Sequence, residues 1–385
     1  MPNRIVTVES VRRGHPDKFC DHIADRILDA HLDADPNARV AVEVFATAGK
    51  ILVAGEVTST AEVNYRKIVR ELIDEIGYDK ADTCLDAQGR LEIDVLVHKQ
   101  SPDIAQAVDG EDQLGAGDPG IMVGYATDET PEGLPLPVVL AHTLCRRLDE
   151  VAKTVSWLGA DGKAQVTISY KDDAAKEVTA IIGSAQHTEE AEPVRVRRHI
   201  LTDVIEPAIP AHLITGNTLV LINPSGKFVL GGPVADTGLT GRKLAVDQYG
   251  PVVRMGGGAL SGKDASKMDR SGAYAARWIA KCVVAAGFAS RCAGQLAYAI
   301  GRAAPVGVSV DTFQTGMIAD STLALAIQRA FDLRSGSIID QLQLRTPMYG
   351  PLAAYGHFGR PDLSLPWECT DRKTALLRAV DQIVK

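Results

Sequence analysis

The chain has 385 residues, 45% hydrophobic and 23% charged, without a run of like charges, which exceeds one ordinary core, so two or three globular domains are expected and disorder is not. Its formal net charge of −8 opposes nucleic acid and anionic lipid as partners, so any phosphate site must be a local basic island. The segments are too short and too charged for a membrane span, and Cys20, Cys84, Cys145, Cys282, Cys292 and Cys369 form no C-x-x-C, so a cytoplasmic protein with reduced thiols is expected.

The first predicted element is a helix opened by Gly14-His15-Pro16-Asp17-Lys18, with Phe19, Ile23 and Ile27 on one face. Proline suits the first helical turn, where its missing N–H costs nothing. The segment reads either as a capped helix start or as a polyphosphate site that combines a helix N-terminus, a histidine and a carboxylate for Mg²⁺.

Val40, Val42 and Val44 alternate with Ala41, Glu43 and Phe45, and a turn at Ala48-Gly49 leads into a second alternating run, Ile51 to Val57. This predicts a hairpin with Glu43 and Glu56 on one face. Two neighbouring carboxylates either face solvent or share a cation. Tyr65, Ile68, Val69, Leu72, Ile73 and Ile76 then recur at helical spacing, and Leu91 to Val97 returns to strand alternation.

The order strand, strand, helix, strand repeats at Gln165 to Tyr170, Val178 to Ile182, Val194 to Ile205 and Thr218 to Ile222, with Lys171-Asp172-Asp173 as the hairpin turn. A third copy is read from Gln295 to Ile300, Val306 to Val310 and the apolar face Leu323, Ala324, Ile327, Ala330, Phe331. The fold class expected is therefore α+β. Residues 1–100, 113–231 and 232–385 are taken as N-terminal, central and C-terminal domains.

Two loops carry the basic islands. Gly231-Gly232-Pro233 leads to Asp236 and then to Arg242-Lys243; Gly256-Gly257-Gly258-Ala259 leads to Lys263, Lys267, Asp269 and Arg270. From Gly257 the second loop matches G-x-x-x-x-G-K. However, Asp264 stands where a P-loop needs Ser or Thr, and no apolar strand runs into the glycines. Glycines that admit backbone N–H groups to an anion, followed by lysines, suit a dense polyphosphate.

Taken in order, Gly14-His15-Pro16-Asp17-Lys18, Lys99-Gln100-Ser101-Pro102-Asp103, Gly115-Ala116-Gly117-Asp118, Gly124-Tyr125-Ala126-Thr127, Gly238 to Lys243, Gly256 to Ala259, Ser261 to Asp264, Asp269-Arg270-Ser271 and Ala354 to Arg360 resemble the S-adenosylmethionine synthetase family in its bacterial form. The resemblance implies three similar mixed-sheet-plus-helix domains in a pseudo-threefold arrangement. It also implies homotetramers built from dimers with active sites between subunits, ATP and L-methionine as substrates, and two Mg²⁺ and one K⁺ per site.

By position, the resemblance implies that His15, Asp161, Lys163, Lys227, Phe228, Asp236, Arg242, Lys243, Ala259 and Lys263 form the ATP site, with Phe228 against adenine. Glu56, Gln100, Asp118, Asp236 and Lys267 would form the methionine site. Asp17 and Asp269 would hold Mg²⁺ and Glu43 would hold K⁺; His15, Lys163, Arg242, Lys243, Lys263 and Lys267 would be the catalytic groups. The segment from about Gln100 to Asp112 would be the mobile loop of the active site. Arg12-Arg13 stands where the family usually has Ser-Glu or similar, Lys227 where Arg is usual, Pro119 where Gln is usual and Met255 where His is usual.

The implied reaction is attack of the methionine sulfur on C5′ of ATP, then hydrolysis of the tripolyphosphate. A thioether needs no deprotonation, so a chain without a Ser/His/Asp or Cys/His arrangement suits it. The competing expectations are a P-loop-type ATPase or kinase, which would yield ADP without methionine, and a non-catalytic nucleotide-binding homologue.

Overall fold

The alternation of Val40, Val42 and Val44 against Glu43 and Phe45 becomes the two faces of a strand: the valines are buried, while Glu43 and Phe45 are exposed. In the computed structural model, which describes residues 4–78, 85, 91–99 and 115–385, that strand is β2 (Arg39–Thr47) and its hairpin partner is β3 (Lys50–Thr58). They are preceded by β1 (Arg4–Val11) and α1 (Pro16–Ala34), and followed by α2 (Tyr65–Ile76) and β4 (Glu92–His98). The parallel β3–β4 pairing, with α2 as crossover, gives the expected order of strand, strand, helix, strand.

The second copy follows β5 (Gly120–Thr127) and α3 (Leu136–Ala152). It consists of β6 (Leu158–Lys171), β7 (Ala174–His187), α4 (Pro193–His199) and β8 (Leu219–Ile222). Both hairpin strands are longer than the alternation suggests, because register shifts near Leu158/Gly162 interrupt the pattern while pairing continues. The extension carries Asp161 and Lys163. At the far end Asp172 and Asp173 take φ of 52° and 63°, the left-handed pair required by a tight hairpin turn.

The third copy follows β9 (Gly238–Leu239) and α5 (Met268–Ala285) and comprises β10 (Arg291–Tyr298), β11 (Gly307–Asp311) and α6 (Asp320–Ala330). Helices α7 (Ser335–Gln341) and α8 (Lys373–Val384) complete the described chain. Among the described residues no strand follows α6 into the sheet, so the third copy ends one element short of the other two.

The sheet orders are β4-β3-β2-β9, β8-β7-β6-β1 and β11-β10-β5. In each, the first strand of a hairpin pairs antiparallel with a strand from another part of the chain: β2 with β9, β6 with β1, β10 with β5. The long helices α1, α3 and α5 lie on the first, second and third sheets respectively. Each of these helices follows a strand that belongs to a different sheet, so every strand–helix pair bridges two sheets in a cyclic exchange. Phe19, Ile23 and Ile27, the predicted apolar face of α1, are fully buried. The architecture is α+β with three mixed sheet-and-helix units. The exchange brings the N-terminus of α1 to the junction of β6 and the β9 loop.

Candidate active site at the N-terminus of α1

His15 caps α1. Its Nδ1 accepts the backbone N–H of Asp17 at 3.2 Å, which satisfies one of the free donors of the first turn. Nδ1 is therefore the acceptor, and in the neutral ring the proton resides on Nε2. Burial, with Lys243 and Lys163 nearby, pushes the His15 pKa down to about 3, so the ring is neutral at pH 7 and Nε2–H is a hydrogen-bond donor. The turn is held closely from behind. Gly14 leaves no room for a side chain, since a Cβ would lie 2.5 Å from the Ala160 carbonyl oxygen, and the Tyr78 hydroxyl donates to the Gly14 carbonyl.

Asp17, 2% exposed, accepts from the Leu239 N–H at 3.0 Å and from the Lys243 ammonium at 2.7 Å, and Arg242 lies 3.5 Å away. Burial opposes its charge, but Lys243 and the Leu239 N–H outweigh burial and hold the carboxyl below the usual range. Gly238 can approach because it has no side chain; a Cβ there would be 2.2 Å from the Pro16 carbonyl oxygen.

Asp17 is the first of five aspartates spaced every four residues along α1, of which the last, Asp33, is exposed and the first four line the face toward the loops. Asp21 accepts from the Gly241 N–H at 2.9 Å and from Lys18 at 2.9 Å. Lys18 also donates to Asp247. Two carboxylates thus share one buried ammonium, and burial pushes Asp21 up to about 7. Asp25 accepts the Gly262 N–H at 2.8 Å and binds Arg270 through both oxygens, at 2.7 and 2.9 Å. Asp29 accepts the backbone N–H groups of Met348, Tyr349 and Gly350 at 3.0, 2.9 and 2.7 Å. This stripe joins α1 to the loops at 239–241, 262 and 348–350. Of these only Asp17 is a candidate from the sequence, although the four-residue period of Asp17, Asp21, Asp25, Asp29 and Asp33 is visible there.

The second glycine loop runs from Gly256 to Lys267 and enters α5 at Met268. The element before it is the short helical turn Gly250–Val252 and no strand runs into the glycines, so it lacks the strand–loop–helix of a P-loop. Instead Lys263 pairs through its backbone with Ala41 of β2, while its ammonium donates to Asp269 at 2.6 Å. Asp269 lies over the loop, because a Cβ on Gly258 would be 2.0 Å from its carboxylate. Lys267 donates to Asp264 at 2.5 Å, and Asp264 accepts the Val40 N–H at 2.7 Å. The two loops meet at Gly241 and Ala259, where a Cβ on Gly241 would be 2.5 Å from that of Ala259.

A wall borders the His15 turn. Asp161 accepts from the N–H groups of Gly162 at 2.7 Å and Gly232 at 2.9 Å, and its own N–H donates to Gln186 at 3.1 Å. Gln186 donates on to the Val229 carbonyl at 3.0 Å. Phe228 is half-buried and bonded through its backbone to His187 at both ends. Asp236 is exposed, following the turn that begins at Gly232.

His15, Asp17, Asp161, Lys163, Arg242 and Lys243 are thus brought together, and Ala259, Lys263 and Asp269 adjoin them. Asp118 lies two residues before Gly120, whose Cβ would be 3.6 Å from Asp269. Glu43 and Glu56 do share a face of the first sheet, as diagonal neighbours across β2 and β3, and His98 lies 3.3 Å from Glu56. Lys227 pairs with Glu189 on the surface. Among the described residues no hydrogen bond or ion pair joins Glu43, Glu56 or Lys227 to the other site residues. Gln100 and the segment from Gln100 to Asp112 lie outside the described residues.

Among the described residues no three His, Cys, Asp or Glu side chains converge as a ready cage for a metal. Asp17 and Asp269 are single hard oxygen donors, each faced by a lysine. That donor set fits Mg²⁺, which binds through one or two carboxylates and takes its remaining ligands from phosphate and water.

Family models for the S-adenosylmethionine synthetase N-terminal, central and C-terminal domains match residues 3–102, 113–228 and 230–369 in turn. The chain belongs to the S-adenosylmethionine synthetase family. It is 50% identical to the S-adenosylmethionine synthase of Desulforudis audaxviator, with 98% of this chain and 99% of the relative covered. It is 49% identical to that of Nocardia farcinica, with 98% of each covered, and 48% identical to that of Staphylococcus epidermidis, also with 98% of each covered. The family assignment agrees with the three-unit α+β architecture and removes the P-loop kinase from consideration. No helix is long and apolar enough to cross a membrane among the described residues.

Proposed function

We propose that the chain forms S-adenosylmethionine from ATP and L-methionine and hydrolyses the tripolyphosphate to phosphate and diphosphate. The observation that carries the reading is the Asp17 N–H held by His15 Nδ1, which leaves Nε2 as the ring's donor beside the cations Lys163, Arg242 and Lys243. When the sulfur attacks C5′, the bond from C5′ to the 5′ oxygen breaks and its electron pair stays on that oxygen. Nε2–H is a preorganised donor for that charge, and the cations neutralise the polyphosphate. No proton need leave the sulfur, which becomes the sulfonium.

Phe228 would lie against the adenine, with Asp161 shaping the Gly232 turn beside it and Lys227 at the rim. Ala259, Lys263, Arg242 and Lys243 would line the phosphates. Glu56, Gln100, Asp118, Asp236 and Lys267 would receive methionine. Asp17 and Asp269 would each hold one Mg²⁺, supplying charge to the polyphosphate, and Glu43 would hold K⁺. Glu43, Phe45 and Leu96 lie exposed on the first sheet. That open face, and the separation of Glu43 and Glu56 from the other site residues, support subunits that pair across sheets, with a homotetramer as the assembly. A cytoplasmic location fits these substrates.

The test is product analysis after incubation with ATP, methionine, Mg²⁺ and K⁺. The expected products are a sulfonium, phosphate and diphosphate. ADP without a sulfonium would overturn the proposal, as would nucleotide binding without turnover.

A further inference from the structure

One buried cation beside this site has no role in the reading above. Arg12 follows β1 and is 1% exposed, so its guanidinium must be well partnered. Nε donates to Asp149 Oδ1 at 2.8 Å, and Nη1 donates to the carbonyl oxygens of Gly159 at 2.6 Å and Asp161 at 3.2 Å. Asp149 is itself held by the Tyr355 hydroxyl and by the Arg13 N–H at 3.3 Å.

The backbone of Arg12 adds two bonds. Its N–H donates to the Gly162 carbonyl at 2.9 Å, and its carbonyl accepts the His15 N–H at 3.0 Å. One residue thus bonds both to the turn that presents His15 and to the strand segment that presents Asp161. Gly162 makes room for it, since a Cβ there would lie 2.7 Å from Arg12 Cδ. From Asp161 the bonding continues to Gly232, and through Gln186 to Val229 beside Phe228.

We infer that Arg12 is a positioning residue of the transfer reaction: its guanidinium sets the spacing between the His15 turn and the Asp161–Phe228 wall, and so places the 5′ oxygen of bound ATP at His15 Nε2–H. The inference rests on the nucleotide site proposed above. A planar fork with several donors suits the task, because its three acceptors lie on two elements, Asp149 on α3 and the Gly159 and Asp161 carbonyls on β6. A lysine, with one compact ammonium, cannot reproduce that set. The other role open to such a group is a clamp between α3 and Tyr355 through Asp149, which would leave the chemistry alone.

The experiment compares Arg12→Lys, Arg12→Met and Asp149→Asn with the wild type. The Arg12 variants are expected to raise the KM for ATP and lower kcat for sulfonium formation, by about 10- to 100-fold in kcat/KM, the scale of a misplaced reacting group. The KM for methionine and the hydrolysis of added tripolyphosphate should change little. Asp149→Asn, which keeps the Gly159 and Asp161 contacts, should have a smaller effect on ATP. A folded Arg12→Lys enzyme with wild-type kinetics for ATP would overturn the inference. So would a common loss of every activity in proportion to the unfolded fraction, which marks a clamp. If Arg12→Met does not fold, Arg12→Ala with added guanidinium replaces it, and recovery of ATP kinetics is the expected result; a rescue that restores folding alone counts against the inference. Phe228→Ala separates the two levels. If it leaves the KM for ATP unchanged, the nucleotide site is misread, whereas a raised KM with no effect of Arg12→Lys refutes the positioning role alone.

Discussion

The Lys243 ammonium sits 2.7 Å from the Asp17 carboxylate at the entrance of α1. Lys263 and Asp269 repeat the arrangement at 2.6 Å on the other loop. Each carboxylate proposed for Mg²⁺ is thus neutralised by a lysine proposed for phosphate, and a dication must displace that lysine unless an anion draws it away. Lys243→Met, studied without polyphosphate, should bind Mn²⁺ about tenfold more tightly than the wild type, within the usual range of coupling between sites, while hydrolysis of tripolyphosphate falls. Equal Mn²⁺ affinity by electron paramagnetic resonance would show that Lys243 does not compete with the metal.

Gly258 offers a separate handle on the second carboxylate. A methyl group there would meet Asp269 at 2.0 Å, and the carboxylate, at the tip of a side chain, can swing aside. Gly258→Ala should therefore keep the wild-type melting temperature but need about tenfold more Mg²⁺ for half-maximal activity, a loss of one ligand's worth of metal affinity. An unchanged Mg²⁺ requirement would remove Asp269 as the ligand.

His15 acts, on this reading, only while charge appears on the 5′ oxygen. His15→Asn or His15→Ala should slow sulfonium formation by about 10²–10³-fold, the cost of one preorganised donor. Hydrolysis of added tripolyphosphate breaks a phosphorus–oxygen bond and should be affected much less. Because His15 titrates near 3, the wild-type rate should show no limb from this group between pH 5 and 8. Equal loss of both activities would make His15 a general phosphate residue.

Arg270 and Asp25 are a fully buried pair with bidentate geometry. Removing one partner strands the other charge in the interior, so Arg270→Met should destabilise the protein by about 3–5 kcal/mol in urea denaturation. Asp25→Leu combined with Arg270→Met should recover part of that loss. A double variant less stable than Arg270→Met would indicate that the Asp25 bond to Gly262, at 2.8 Å, matters more than the ion pair.

His142 provides the acid-side stability prediction. Burial, with Arg360, Arg146 and Lys18 near it, lowers its pKa to about 3, while the ordinary value is 6.5. The unfolded chain takes up the proton first, so the stability contribution is fully present above pH 6.5 and is lost as the pH falls toward 3. Between pH 7 and 5 one such histidine accounts for about 2 kcal/mol. His142→Asn should reduce the measured decline over that interval by about this amount, and an identical decline in the variant would show that the ring is already protonated when folded. Asp21 has the opposite sign. Its pKa rises from 3.8 to about 7 on folding, so its contribution is present below 3.8 and is lost as the pH rises through 7.

Much of this molecule follows from local pattern. Period-two alternation places Val40, Val42 and Val44 in a core, and helical spacing buries Phe19, Ile23 and Ile27, because burial of an apolar face depends only on the repeat of the element. The ordered motifs likewise identify the family, and the spacing of Pro16 and Asp17 marks a helix start. Other features could not be read so. The tautomer of His15 is set by the Asp17 N–H, and its depressed pKa by burial and by Lys243, which is remote in sequence. Arg12 looks like a surface cation until Gly159, Asp161 and Asp149 surround it. Above all, pairing of β1 with β6, β5 with β10 and β2 with β9 is decided by which strand edges meet, and no periodicity within one strand records its partner. Composition and alternation therefore determined three α+β units with apolar cores. Only the tertiary structure decided that the units exchange strands, and that exchange carries His15, Asp161 and Lys243 to one place.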